Sequence, residues 1–210
     1  AFELEPAPAL AEPLREDLDL GPGAFASVYE LVRPGQPDVV VFEQANDREG
    51  PAGTATGLRI GGVGRSSVEH SAVSLRASAK RHKVLEGLVA GRSGAQRLDG
   101  ASDPEFDAAV SVYAREVNEA AALLTRAVRT VLARLLREAD EVVASATASR
   151  AEGSVPRHAN GAAPSVAIGP RNLYLALEVG VPFELDALGV LMADLLSLHV
   201  ALLSASNRER

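Results

Sequence analysis

Residues 184–204 restrict the architecture most, because leucines at 185, 188, 191, 195, 196, 202 and 203 make one continuous apolar stretch near the carboxy terminus. A segment of ~20 residues with that character either crosses a bilayer or is buried in a protein core. Asp194 and His199 lie inside it. A carboxylate at mid-bilayer costs ~3 kcal/mol or more, and no basic cluster precedes the stretch to orient a span. The reading is a core helix packed on a sheet, with His199 a hydrogen-bonded core or boundary histidine.

That helix needs a sheet to cover, and the rest of the chain supplies one. Ala24–Val32 and Val39–Gln44 are rich in β-branched and aromatic residues, and Arg33 to Asp38 between them is turn chemistry, so the pair predicts a β-hairpin. The continuous run Val39–Phe42 suits a strand covered on both faces. Thr54–Ile60 and Ala72–Ala77 are further candidate strands, and 79–90 is a candidate short helix ended by Gly91. Phe106, Ala108, Val110 and Val112 alternate like a strand, which makes Asp103, Glu105 and Asp107 turn and strand-start residues. Between Glu116 and Val143 apolar residues recur at three- and four-residue spacing, as one long helix or as two separated by an N-cap at Thr125. Ser165–Ile168 and Asn172–Val179 predict a second hairpin across Gly169-Pro170-Arg171, with Leu173, Leu175 and Leu177 on one face.

The fold class expected is therefore α+β: a mixed or mainly antiparallel sheet from hairpins, with the 116–143 and 184–204 helices packed against it. A chain of 210 residues with 47% apolar and 23% charged residues suffices for one globular core. The division expected is an acidic, proline-bearing lead-in at 1–23 with a helical turn or two, one domain at 24–205, and a polar tail at 206–210. Small and polar residues at 144–164 predict a long mobile loop. Ala1–Glu5 show no basic region backed by an apolar stretch, so no targeting segment is visible. Alanine at position 1 fits methionine removal, and fits equally a chain trimmed behind a signal or membrane anchor.

With no cysteine in the chain, disulfides, thiolate metal sites, iron–sulfur clusters and cysteine nucleophiles are excluded. Only Lys80 and Lys83 are lysine; the preference for arginine, alongside many alanines, fits a GC-rich genome. The net charge of −7 is unevenly spread. Residues 57–97 hold Arg59, Arg65, Arg76, Lys80, Arg81, Lys83, Arg92 and Arg97 against Glu69 and Glu86, a balance of +6 that leaves −13 elsewhere. An acidic whole with one basic stretch disfavours broad nucleic-acid binding, which needs many phosphate contacts, and leaves room for a local anion or acidic-partner site.

Arg76, Lys80, Arg81 and Lys83 are the candidate contact residues. Their run contains no aromatic residue on which bases could stack, which leaves an acidic protein surface or anionic lipid head groups as the partner. Gly61, Gly62, Gly64, Arg65 and Ser66 invite comparison with a phosphate-binding loop. A Walker A loop, however, needs glycine where Arg59 stands and lysine where Arg65 stands, and a dinucleotide fingerprint needs glycine or alanine where Ser67 stands. His70, His82, His158 and His199 occur singly, without zinc-helix spacing, so neither a metal nor a cofactor is expected. Ser66, Ser67 and His70 lack a nucleophile elbow, so no catalytic residue is assigned.

The strand-leading Asp103-Pro104-Glu105-Phe106-Asp107, then Glu119-Ala120 before Leu123-Leu124-Thr125, then Asn172-Leu173-Tyr174-Leu175 and Pro182-Phe183-Glu184 are similar to an uncharacterised bacterial family. In that family, amino-terminal transmembrane helices precede a soluble α+β domain. Val39–Glu43 resembles the strand such proteins carry after a glycine-bearing turn, and Arg126 departs from the pattern where proline is expected. About half of the chain takes part. The resemblance implies a membrane-tethered domain whose anchor lies outside this chain, and it transfers no catalytic residue.

Three functional expectations follow. The first is a non-enzymatic interaction or scaffolding domain, tethered to a bacterial membrane and using the basic 76–83 region. The second is an enzyme or sensor binding a phosphorylated small molecule at 61–67. The third is a self-assembling structural subunit, because the last helix is more apolar than one sheet face requires.

Overall fold

The computed structural model describes residues 3–10, 25–32, 39–46, 55–62, 75–79, 95–98, 103–151, 164–168, 173–177 and 185–206. The fold is α+β. Its strands are β1 (Glu3–Pro6), β2 (Phe25–Val32), β3 (Val39–Asn46), β4 (Ala55–Gly62), β5 (Leu75–Ala79), β6 (Gln96–Arg97), β7 (Val110–Ala114), β8 (Ser165–Ile168) and β9 (Leu173–Ala176). Its helices are α1 (Pro104–Ala109), α2 (Val117–Leu123), α3 (Arg126–Ala151) and α4 (Leu185–Ser206). The described strands form one sheet in the order β1-β2-β3-β4-β9-β8-β5-β7-β6, and every pairing is antiparallel.

Both expected hairpins form. β2 and β3 pair with a register shift between Phe25 and Ser27, and β8 pairs with β9 from Ser165↔Ala176 to Ile168↔Leu173. The β8–β9 hairpin inserts between β4 and β5, two elements that follow one another in the chain.

Side-chain alternation along the strands puts Leu175, Val166, Ala77 and Val112 in one row across β9, β8, β5 and β7. All four are buried, and the helices lie over this face. Ala77, the smallest of the row, sits on the strand that α3 packs against. α3 contributes Val128, Leu132, Leu135, Leu136, Ala139 and Val143, spaced as one helical face, and α4 contributes Leu191, Leu195, Leu198 and Leu202. Burying a leucine stabilises by ~1.5–3 kcal/mol, so this face, rather than helix propensity, holds α3 and α4 in place. Gly189–Ser206 is long and apolar enough to cross a bilayer by length and composition. Four of its leucines are instead committed to the core, as expected of a core helix.

Thr125 divides the long helical signal in two. Its Oγ1 accepts from the Val128 N–H at 3.4 Å and its carbonyl accepts from the Arg129 N–H at 2.9 Å, the pattern of an N-cap for α3.

Four expectations are corrected. Residues 104–109 are a helix, not the first half of a strand, because Asp103 caps them. Its Oδ1 accepts from the Phe106 N–H at 3.2 Å, and Pro104 takes the first helical turn, where its missing N–H costs nothing. Glu105 and Asp107 are accordingly first-turn acids facing the positive end of the helix, and the strand begins only at Val110. α3 continues to Ala151, into the stretch expected as a loop from 144, because its small residues do not oppose a helix already propagating; residues 152–163 lie outside the described residues. The lead-in forms an edge strand, β1, from Glu3 to Pro6 before a single 3-10 turn at Pro8–Leu10, and proline closes it at an edge where a missing donor is tolerated. α4 takes Ser206 from the expected polar tail. The candidate helix at 79–90 lies outside the described residues beyond Ala79, which ends β5.

Candidate functional site

The sheet positions of opposite parity to the buried row carry the polar chemistry. The register sets Ala167, Arg76, Tyr113 and Arg97 side by side across β8, β5, β7 and β6. With strands ~4.8 Å apart, Arg76 and Arg97 are placed ~10 Å apart on either side of Tyr113. Arg97 is exposed and Tyr113 half-buried. Arg59, opposite Ala176, belongs to the same face. The next row, Ser165–Ser78–Ser111, aligns three hydroxyl residues across β8, β5 and β7. Ser111 is 1% exposed and its Oγ has no hydrogen-bond partner. Three arginines of the basic stretch, from positions 59 to 97, are thereby gathered on one sheet face.

Of the residues expected to contact an anion or partner, Arg76 is placed in β5, flanked by β7 and β8. Lys80, Arg81 and Lys83 lie outside the described residues. Arg97 and Tyr113 were not expected to join it. Tyr113 supplies the aromatic residue missing from the basic run, and it comes from a strand 37 positions further on. Only the strand register brings it there, and register between distant segments has no local signal.

The glycine-rich segment divides at Gly62. Gly61 and Gly62 belong to β4: Gly61 faces Val40 on one side and Tyr174 on the other, and Gly62 faces Leu173. A phosphate cradle needs backbone N–H groups that are free to turn toward the ligand, whereas these positions are part of the sheet ladder. Gly64, Arg65 and Ser66 lie outside the described residues, as do His70, His82 and His158.

A second polar cluster ties α3 to α4. Arg134 donates from Nε to Asp194 Oδ2 at 2.9 Å and from Nη2 to Asp194 Oδ1 at 2.6 Å, a bidentate pair. The Asp194 side chain is 11% exposed and that of Arg134 43%. Asp194 further raises the already high pKa of Arg134 through this hydrogen bond. Glu138, one turn along α3, is pushed above the ordinary carboxyl value, first by burial and then by the neighbouring Asp194. Burial lowers the His199 imidazole from its ordinary 6.5. Among the described residues, no three His, Cys, Asp or Glu side chains are grouped to hold a metal ion. An open, mainly apolar groove of about 520 Å³ lies between the start of α3 and the end of α4, edged by Arg126, Thr130 and Ser204.

No family model, curated protein or solved structure matches the chain.

Proposed function

We propose that this chain is a non-enzymatic interaction domain, tethered to a bacterial membrane through segments outside it, that docks an acidic protein surface on the sheet face away from the helices. The observation that carries the reading is the row Arg76–Tyr113–Arg97, with Arg59 on the same face. Arginine forks match carboxylates in bidentate geometry, and tyrosine adds contact area with little entropy to lose. A protein partner is preferred to an anionic bilayer because of the charge outside residues 57–97, which sums to −13. The net charge of −7 opposes approach to an extended anionic surface, while an acidic patch on a protein can match the basic row in size.

The test measures binding of a polyglutamate peptide and of phosphatidylglycerol vesicles to the wild-type chain and to Arg97→Glu. Arg97 stands on the exposed edge strand, so its reversal leaves the core untouched. The expected result is peptide binding that weakens with salt and falls at least tenfold in the variant, with vesicles ignored. Equal binding by both proteins refutes the docking face, and salt-sensitive binding to vesicles alone moves the reading to a membrane surface.

One further observation favours a second reading, a self-assembling subunit. Val190 and Val200 are 53% and 60% exposed on the outer side of α4. Ala193, Ser197 and Ser204 are exposed on the same helix, so its outer side carries no charge from Gly189 to Ser206.

A further inference from the structure

We propose that Glu138 carries a proton at the α3–α4 interface and donates it as a hydrogen bond to Asp194, so that Arg134, Glu138 and Asp194 form a latch that loosens when Glu138 ionises. The arrangement of donors carries the inference. Arg134 directs Nε and Nη2 at the two oxygens of Asp194, and Glu138 Oε2 is sealed from solvent with no hydrogen-bond partner. Among the described residues, the charged groups that act on Glu138 are Arg134 and Arg137 on its own helix and Asp194 on α4. Two further elements pack against α3: β5 presents the buried Ala77, and α1, which carries Glu105 and Asp107, contributes none of the charges that act on Glu138. With both carboxylates ionised, two negative charges converge on one guanidinium that is already engaged. A proton on Glu138 removes one of the charges and turns an orphaned acceptor into a donor toward Asp194. A negative charge beside a buried carboxyl favours the protonated form of that carboxyl.

The displacement of Glu138 is upward from 4.5, with burial and Asp194 as its leading causes. A carboxyl that binds its proton more tightly in the folded state than in the unfolded state adds stability that is complete below 4.5. That stability is lost as pH rises through the folded-state value. Each unit of upward displacement makes a tenfold difference in the folding equilibrium across that window.

The experiment follows the Glu138 side-chain carboxyl by carbon NMR in the full chain, in wild type and in Asp194→Asn, and compares the pH dependence of urea unfolding in wild type and Glu138→Gln. The expected results are a Glu138 midpoint above 4.5 that returns toward 4.5 in Asp194→Asn, and a Glu138→Gln protein that has lost the matching part of the wild-type slope. A wild-type midpoint at 4.5 overturns the proposal, as does a midpoint indifferent to Asp194. Should Asp194→Asn fail to fold, the Glu138→Gln comparison decides: an unchanged slope overturns it.

Discussion

Arg129 stands where three helices meet, and replacing it tests how that corner is held. Its Nη1 donates to the carbonyl of Leu124, the residue that ends α2, at 3.0 Å, and its Nε lies 3.6 Å from Oδ2 of Asp103, the cap of α1. The side chains of Arg129 and Asp103 are 19% and 35% exposed. Arg129→Met keeps the aliphatic stem and removes every donor. A charge-assisted bond to a part-buried carbonyl contributes ~1.5 kcal/mol or somewhat more. The ion pair is too long for a hydrogen bond and sits in partial contact with water, which limits it to at most ~0.5 kcal/mol. The expected loss is therefore ~2 kcal/mol. For a chain of this size that lowers Tm by ~4–8 °C, and urea unfolding followed by circular dichroism should give the same loss at unchanged slope. Asp103→Asn on its own should cost less, since the amide oxygen still accepts from the Phe106 N–H. A loss below ~0.5 kcal/mol in Arg129→Met would show that water satisfies the Leu124 carbonyl and that Thr125 alone sets the break between α2 and α3.

Two other expectations concern α4. Because burial holds His199 below 6.5, its contribution to stability is present above pH 6.5 and is lost as pH falls through the folded-state value. His199→Gln should flatten that part of the unfolding curve, and an unchanged slope would reject the assignment. Val200→Arg places a charge on the uncharged outer side of α4. If the chain self-assembles there, sedimentation should show a mass that rises with concentration in wild type only, and a single monomer mass in both proteins would reject self-assembly.

What the sequence made legible was local. Turn residues between β-branched runs mark both hairpins and the three- and four-residue spacing marks α3, while the threonine among leucines leaves a break at Thr125 as one of two readings, which the capping bond decides. Residues 104–109 fit two readings that share the same letters. Phe106, Ala108 and Val110 alternate as in a strand, whereas Asp103-Pro104 starts a helix, and the capping bond decided the outcome. The candidate site was the least legible part. Arg76 was visible as a member of a basic run, but its neighbours Tyr113 and Arg97 come from β7 and β6. Arg134 and Asp194 are likewise 60 positions apart. Such pairs are set by sheet order and helix docking, which leave no short-range pattern in the chain.

The insertion of β8–β9 between β4 and β5 bears on how the protein is made. As the chain leaves the ribosome, β4 and β5 emerge long before the hairpin that joins them, so two strand edges wait without their partners. Unpaired edges are templates for other chains, and sheets closed by distant segments form slowly. α3 is complete before the hairpin appears, whereas α4, the other helix that covers this face, is synthesised after it. A nascent chain stalled before residue 165 therefore displays both open edges and a core face that α3 alone covers, a form suited to chaperones and exposed to aggregation.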